Sequence, residues 1–263
     1  MLEIFSHEFF WLSFAPLSFL SAGFWLLLFD RADRKIHSFF LLILALVAGF
    51  FSAISFLKFA DFFEISNFFA KIFFEEFFKI FFAILILELF KKKFVKISDG
   101  VIFGFAVGLG FAMCEQIFAL AKIFETAEFE KNFWLIFQGR FYTTTLLHAT
   151  ATAFFGFFYA GAFLSKTLKK RDHRSPLATF LLPPRLDQIF FALTLHVARR
   201  HFLLQNNFSV REHFARAVIF EGFFVAIIFH SIFNFAIEKN FFALSFFIAI
   251  SATFFLAHKI SKI

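Results

Sequence analysis

Two adjacent carboxylates and a lysine stand in a stretch of the chain that is otherwise apolar. The residues are Glu75, Glu76 and Lys79, and their neighbours are Phe, Ile, Leu and Ala. An ionisable side chain at membrane depth costs roughly 2.5–3.5 kcal/mol on insertion scales, so it is seldom kept without a use or a partner. Lys79 follows Glu75 by one helical turn and can neutralise it as an i,i+4 pair. That pairing accounts for one carboxylate but not for two.

A stripe of small residues leads to a third carboxylate. Gly100, Gly104 and Gly108 recur at every fourth position of a predicted helix, a pattern that lets helices approach closely in lipid. Glu115 follows Gly104 by eleven residues, which is about three helical turns. It therefore lies on the glycine face, inside the bundle. A buried glutamate tied to a neighbouring helix would have the same placement, so catalysis is one of two interpretations.

Two histidines stand in later predicted helices. His148 lies among threonines, which predicts a polar face within an apolar segment. The threonines are Thr143, Thr144, Thr145, Thr150 and Thr152. His230 precedes Asn234 by four residues, which places both on one helix face. Alone, a histidine such as His148 is more often a packing residue than a ligand.

The depth of these residues indicates a single site. Counted from the predicted helix ends, Glu75, Glu115, His148 and His230 all lie roughly 10–12 Å below the outer surface. Two chemistries suit this set. The side chains can hold a divalent metal such as zinc and keep one position open for water. Alternatively, a glutamate in an apolar site can activate water directly while a histidine and Asn234 stabilise the oxyanion.

Membrane-spanning helices are the elements that must position these residues. Of the 263 residues, 60% are hydrophobic and 24% aromatic, and 57 are Phe. The apolar residues form long blocks, and a helix satisfies its own backbone groups in lipid. The sequence therefore predicts an all-α, polytopic transmembrane bundle. The net charge of +7 collects in short loops, as orientation signals do, so we expect no nucleic-acid partner.

Seven apolar blocks are long enough to span a bilayer. They cover about 9–29, 37–57, 68–90, 100–122, 140–164, 213–237 and 241–257. The basic loops then fall inside if the N-terminus is outside and the C-terminus inside. Residues 1–263 form one integral membrane domain, with the catalytic core in 68–237. A polar loop begins at Lys58, and the cytoplasmic basic loop 165–212 contains a predicted amphipathic surface segment at 176–210.

The order and spacing of these motifs resemble those of the PrsW family of membrane-embedded proteases, which is related to the CAAX-processing prenyl proteases. The resemblance covers residues 75–234. Its pieces are Glu75-Glu76-Phe77-Phe78-Lys79; Asp99-Gly100 through Gly104, Gly108, Gly110, Phe111 and Glu115; Arg140 with His148; and His230-Ser231-Ile232-Phe233-Asn234. Gln116 departs from the pattern, because the family usually has Asn there.

The resemblance implies an intramembrane endopeptidase that hydrolyses a peptide bond of a membrane-anchored protein near the outer face. PrsW-like proteins are associated with the first cut of an anti-sigma factor in a stress response, which implies the bacterial cytoplasmic membrane. Carried over, Glu75 is the base, Glu76 supports it, and Asn234 orients the tetrahedral oxygen. The implied ligands of a divalent metal, with zinc as the first candidate, are Glu115, His148 and His230.

Three other interpretations stay open. A scaffold or bacteriocin-immunity type of membrane protein could share the fold without catalysis. A proton-coupled transporter also uses buried Glu and His, although the chain shows neither an internal repeat nor a broken helix at the site. A prenyl-protein protease would be expected to place its site near the inner face, which disagrees with the predicted topology. The sequence leaves the oligomeric state open.

Overall fold

Seven α-helices make up the described part of the chain. A computed structural model describes residues 8–32, 39–91, 96–124, 143–167, 208–239 and 241–260, and these residues contain no strand. The helices are α1 (Glu8–Ala32), α2 (Phe39–Phe62), α3 (Phe68–Phe90), α4 (Ile97–Phe124), α5 (Thr145–Thr167), α6 (Phe208–Glu238) and α7 (Phe242–Ile260). The predicted all-α helical bundle is confirmed.

Four helices contain stretches that are long and apolar enough to cross a membrane. These stretches are Phe39–Phe62, Ile97–Ala121, Thr145–Phe163 and Val218–Glu238. The apolar parts of α1 and α7 are shorter, and α3 has the length of a span but carries five charged side chains in its 23 residues. Large apolar side chains face outward, among them Phe69 and Phe247 at 70% and 68% exposure. These features suit a bundle surrounded by lipid, and its N-out, C-in orientation stays a prediction.

Two predicted loop boundaries are wrong. The loop predicted to begin at Lys58 begins only at Phe63, because α2 continues to Phe62. Residues 208–212, for which the sequence predicts the end of the basic loop, form the start of α6. Charged side chains beyond the lipid do not end a helix when no Pro or Gly interrupts it. The predicted surface segment lies outside the described residues from 176 to 207, as does Arg140.

A tight turn determines where α3 begins. Glu64 has a positive φ of 48°, and the Ile65 N–H donates to the Ala60 carbonyl oxygen at 3.0 Å, a pattern that closes a helix C-terminus. The Asn67 side chain then caps α3 by accepting a hydrogen bond from the Ala70 N–H at 3.0 Å. The observed ends of α3 match those of the predicted third span.

α4 is the central helix of the bundle and packs against α1, α2, α3 and α5. A Cβ atom at Gly104 would lie 2.5 Å from the Thr152 carbonyl oxygen, and one at Gly108 would collide with the His148 carbonyl oxygen. The predicted small-residue stripe is thus confirmed as the α4–α5 contact. Gly110 allows an equally close approach to α2. His148 is therefore positioned by contact between two helix backbones.

Candidate active site

α3 presents both carboxylates and the lysine to the interior of the bundle. Glu75, Glu76 and Lys79 are buried, and spacings of three and four residues bring Lys79 over the turn that carries the carboxylates. Its Nζ atom lies 2.5 Å from Glu76 Oε1 and 3.4 Å from Glu75 Oε1. The expectation that Lys79 accounts for only one carboxylate is therefore wrong.

His148 on α5 connects the α3 group to α4. Its Nδ1 atom lies 2.8 Å from Lys79 Nζ, and its Nε2 atom lies 2.7 Å from Glu115 Oε2. An ammonium group can only donate, so Nδ1 accepts from Lys79. A neutral ring then carries its hydrogen on Nε2 and donates it to Glu115. The lone pair of His148 is thereby directed at the α3 residues.

His230 on α6 has the complementary arrangement. Its Nδ1 atom lies 2.5 Å from Glu76 Oε1, so the ring donates its Nδ1–H to this carboxylate. Its Nε2 atom is left as an acceptor and lies 2.9 Å from Asn234 Nδ2. Asn234 is therefore oriented by the same ring, one helical turn away.

The acceptor nitrogens of the two imidazoles converge on one carboxylate oxygen. Glu75 Oε1 lies 3.4 Å from His148 Nδ1 and 3.6 Å from His230 Nε2. Together with Glu76, these residues offer ligand atoms that all lie within 4.8 Å of one another. Two ligands of a tetrahedral zinc ion, each about 2.0–2.1 Å from the metal, are about 3.3–3.5 Å apart. The separations of Glu75 Oε1 from the two imidazole nitrogens are thus close to those between ligands of one tetrahedral metal ion.

The electrostatics of the site also fit a divalent cation. With neutral imidazoles, the three carboxylates of Glu75, Glu76 and Glu115 and the Lys79 ammonium sum to a formal charge of −2. Glu76 Oε2 is buried without a hydrogen-bond partner in the described part of the chain. Buried charge without full compensation is costly, so a bound cation would stabilise this arrangement.

Glu115 occupies the outer edge of the site. Its side chain is 34% exposed, whereas those of Glu75 and His148 are 8% and 2% exposed. It contacts the nitrogen of His148 that faces away from Glu75, and it lies outside the four-residue donor group. A carboxylate in this position typically fixes the tautomer and orientation of a metal-binding histidine.

The threonines of α5 do not form one polar face around the His148 ring. Thr150 Oγ1 is hydrogen-bonded at 2.7 Å to Thr253 Oγ1 of α7, and Thr152 Oγ1 donates to the His148 carbonyl oxygen at 2.9 Å. Two residues along a helix correspond to about 200° of rotation, so Thr150 points away from the site. The predicted polar face is wrong in this respect.

Phe111 is a site residue to which the sequence reasoning assigned no role. Its ring is 1% exposed and lies 5.1 Å from the His148 ring, and the Lys79 Nζ atom lies 4.6 Å from its centroid. This is a cation–π contact. The available signal was its spacing, because Phe111 precedes Glu115 by four residues and shares its helix face.

One protein family matches more than half of the chain. Its description is PrsW family intramembrane metalloprotease, and the match covers residues 35–203. No curated protein and no solved structure matches the chain. The matched range contains Glu75, Glu76, Glu115 and His148 and ends before α6. His230 lies outside the matched range, and it is the contact with Glu76 that places it in the site.

Proposed function

Because the chain belongs to the PrsW family of intramembrane metalloproteases and is thus a membrane-embedded protease, we propose that Glu75, His148 and His230 form its reaction centre. The observation that carries this proposal is that one nitrogen of each imidazole lies close to Glu75 Oε1, at 3.4 and 3.6 Å. An arrangement of this kind binds a metal ion or orients a water molecule.

Glu75 is the carboxylate that activates the attacking water. Its side chain is 8% exposed, whereas that of Glu76 is fully buried. The contacts to the imidazoles use Oε1, and we assign Oε2 as the atom that accepts the proton of water. Glu76 supports the site by holding Lys79 and the Nδ1–H of His230 in place.

The metal would be held by Glu75 Oε1, His148 Nδ1 and His230 Nε2, and we propose zinc. When bound, a zinc ion makes water a stronger nucleophile and polarises the scissile carbonyl. The Asn234 amide lies 2.9 Å from His230 Nε2 and donates to it. With a metal on Nε2 this N–H would be released, and it would then supply a donor for the developing oxyanion. Glu115 and Glu76 hold the two imidazoles in the tautomers that present these lone pairs.

The proposed substrate is a membrane-anchored protein that is cut near the outer face, with an anti-sigma factor as the first candidate. Glu75 lies seven residues after the start of α3, about 10 Å along the helix axis, so water has a short path from that end. The distribution of Lys and Arg in the sequence favours placing this end outside. A cut of this kind begins a stress response at the bacterial cytoplasmic membrane, where we place the protein.

Cleavage of a membrane-anchored reporter in proteoliposomes tests the proposal. Wild-type protein is expected to cut a reporter whose target segment lies just outside the bilayer, and Glu75→Gln is expected to lose this activity while inserting normally. Glu64→Gln is the matched control, because Glu64 is exposed in the turn before α3. A correctly inserted Glu75→Gln variant that still cuts would remove Glu75 as the proton acceptor. Wild-type protein that cuts only an inner-side target would reject the proposed orientation.

A further inference from the structure

Lys79 lies among the metal-ligand candidates, although its ammonium group has no lone pair with which to bind a metal. Its Nζ atom lies 2.5 Å from Glu76 Oε1, 2.8 Å from His148 Nδ1 and 3.4 Å from Glu75 Oε1. The side chain is fully buried, and the ring of Phe111 closes it off on another side. A cation therefore already occupies the region between the carboxylates and the His148 imidazole.

The contact between Lys79 and His148 has a chemical consequence. A neutral imidazole has one lone pair in the plane of its ring, and in His148 this lone pair is on Nδ1 because Nε2–H donates to Glu115. The same lone pair accepts the hydrogen bond from Lys79 and would coordinate a metal ion. It can serve only one of the two partners at a time. Two cations at this distance also repel each other.

We propose that Lys79 is an internal competitor of the divalent ion, a positioning residue that must leave His148 Nδ1 before the ion binds there. In the ion-free protein its ammonium holds Glu75, Glu76 and His148 together and offsets the repulsion between the carboxylates. This inference rests on the proposed metal site. It adds that displacing Lys79 from His148 Nδ1 costs free energy when the ion binds.

The burial of the two carboxylates explains why such a competitor is retained. The side chains of Glu75 and Glu76 are 8% and 0% exposed. An uncompensated charge at this depth is strongly destabilising, so the ion-free protein needs a resident cation. Lys79 thus lowers the affinity for the ion while it keeps the empty site folded.

Zinc affinity at one fixed pH tests the proposal. The proteins are the purified full chain in detergent, its Lys79→Met variant and the control Lys71→Met, and a chromophoric zinc chelator reports the competition. Lys79→Met is expected to bind zinc about tenfold more tightly or better, a usual size for coupled binding events. Lys71→Met is expected to match the wild type, because Lys71 is an exposed residue of the same helix. In a His148→Ala background, Lys79→Met should bring a clearly smaller gain, since the shared lone pair is absent and only the repulsion between the two cations is relieved.

Unchanged or weaker zinc binding by Lys79→Met overturns the proposal, as does a gain of undiminished size in the His148→Ala background. Absence of zinc binding in every variant overturns it too. If Lys79→Met does not fold, Lys79→Gln repeats the test with an uncharged polar side chain. Reporter cleavage is measured separately and distinguishes the two proposals. A tightened affinity without any cleavage rejects the reaction, whereas cleavage with unchanged affinity rejects only the competition.

Discussion

The α4–α5 and α3–α6 contacts each deliver a histidine to the site, but by different means. At α4–α5, Gly108 allows the backbone of α4 to touch the His148 carbonyl oxygen. At α3–α6, side chains make the contact, with the rings of Phe73 and Phe223 5.5 Å apart and Glu76 bonded to His230.

The two helices that carry the histidines, α5 and α6, also differ in how much of each is buried. In α5, 89% of the apolar span is buried within the protein, whereas in α6 the share is 28%. A backbone contact between enclosed helices leaves little room for movement, while a side-chain contact on a lipid-facing helix can rearrange. We therefore expect almost any enlargement at the α4–α5 contact to displace His148. The position of His230 should depend on a few side chains at the α3–α6 contact.

The largest effect is expected for Gly108→Leu. A Cβ atom at this position would lie 2.6 Å from the Ala149 Cα atom and would also collide with the His148 carbonyl oxygen. Neither is a flexible side chain, so α4 and α5 must separate, at a cost above about 4 kcal/mol. Thermal unfolding in detergent should show loss of the folded protein. Gly23→Leu is the control, because nothing lies within 4 Å of a Cβ atom there, and equal stability of the two variants would contradict the backbone contact.

The second-largest effect is expected for Glu76→Gln, which removes the charged partner of His230 at the α3–α6 contact. Lys79 would lose its 2.5 Å partner while it stays buried, and loss of one member of a buried ion pair costs about 3–5 kcal/mol. The variant should unfold at a lower temperature in detergent and lose reporter cleavage. Glu64→Gln should change neither quantity. A fully stable Glu76→Gln variant would show that the ion pair does not support the interface.

A smaller effect is expected for Glu115→Ala, which removes one side chain at the edge of the α4–α5 contact but leaves its close backbone approach in place. Its carboxylate contacts His148 Nε2, so the substitution should weaken zinc binding and cleavage about 10- to 100-fold, as is usual for groups that orient a ligand. Zinc titration of Glu115→Ala beside the exposed control Glu238→Ala measures this. Complete loss of zinc from a folded variant would instead make Glu115 a direct ligand.

The smallest effect is expected for Phe73→Leu at the α3–α6 contact. The edge-to-face pair with Phe223 contributes about 0.5–1.5 kcal/mol beyond its buried area. A double-mutant cycle with Phe223→Leu, followed by thermal unfolding, should return a coupling energy of this size. Phe77→Leu is a control of similar exposure on the same helix. Coupling near zero would mean that Glu76 and His230 carry the contact alone.

Composition and periodicity were sufficient to predict the helical class, the ends of α3 and the glycine stripe of α4. These features depend on the length of apolar segments and on 3.6 residues per turn, which the chain expresses locally. The same reasoning selected Glu75, Glu76, His148 and His230, because each is an ionisable residue in an apolar segment. Helix boundaries beyond the lipid were predicted less well, since charge near Lys58 does not interrupt the backbone hydrogen bonds of α2.

The sequence by itself determined which residues are available for chemistry and how far along each helix they lie. Only the tertiary structure decided which nitrogen of each histidine faces Glu75, that Lys79 bridges two carboxylates and that Thr150 turns to α7. These outcomes depend on the rotation of each helix about its axis and on which helices are neighbours. Both are fixed by contacts between segments that are far apart in the chain, such as Gly108 against His148, and no local pattern encodes them.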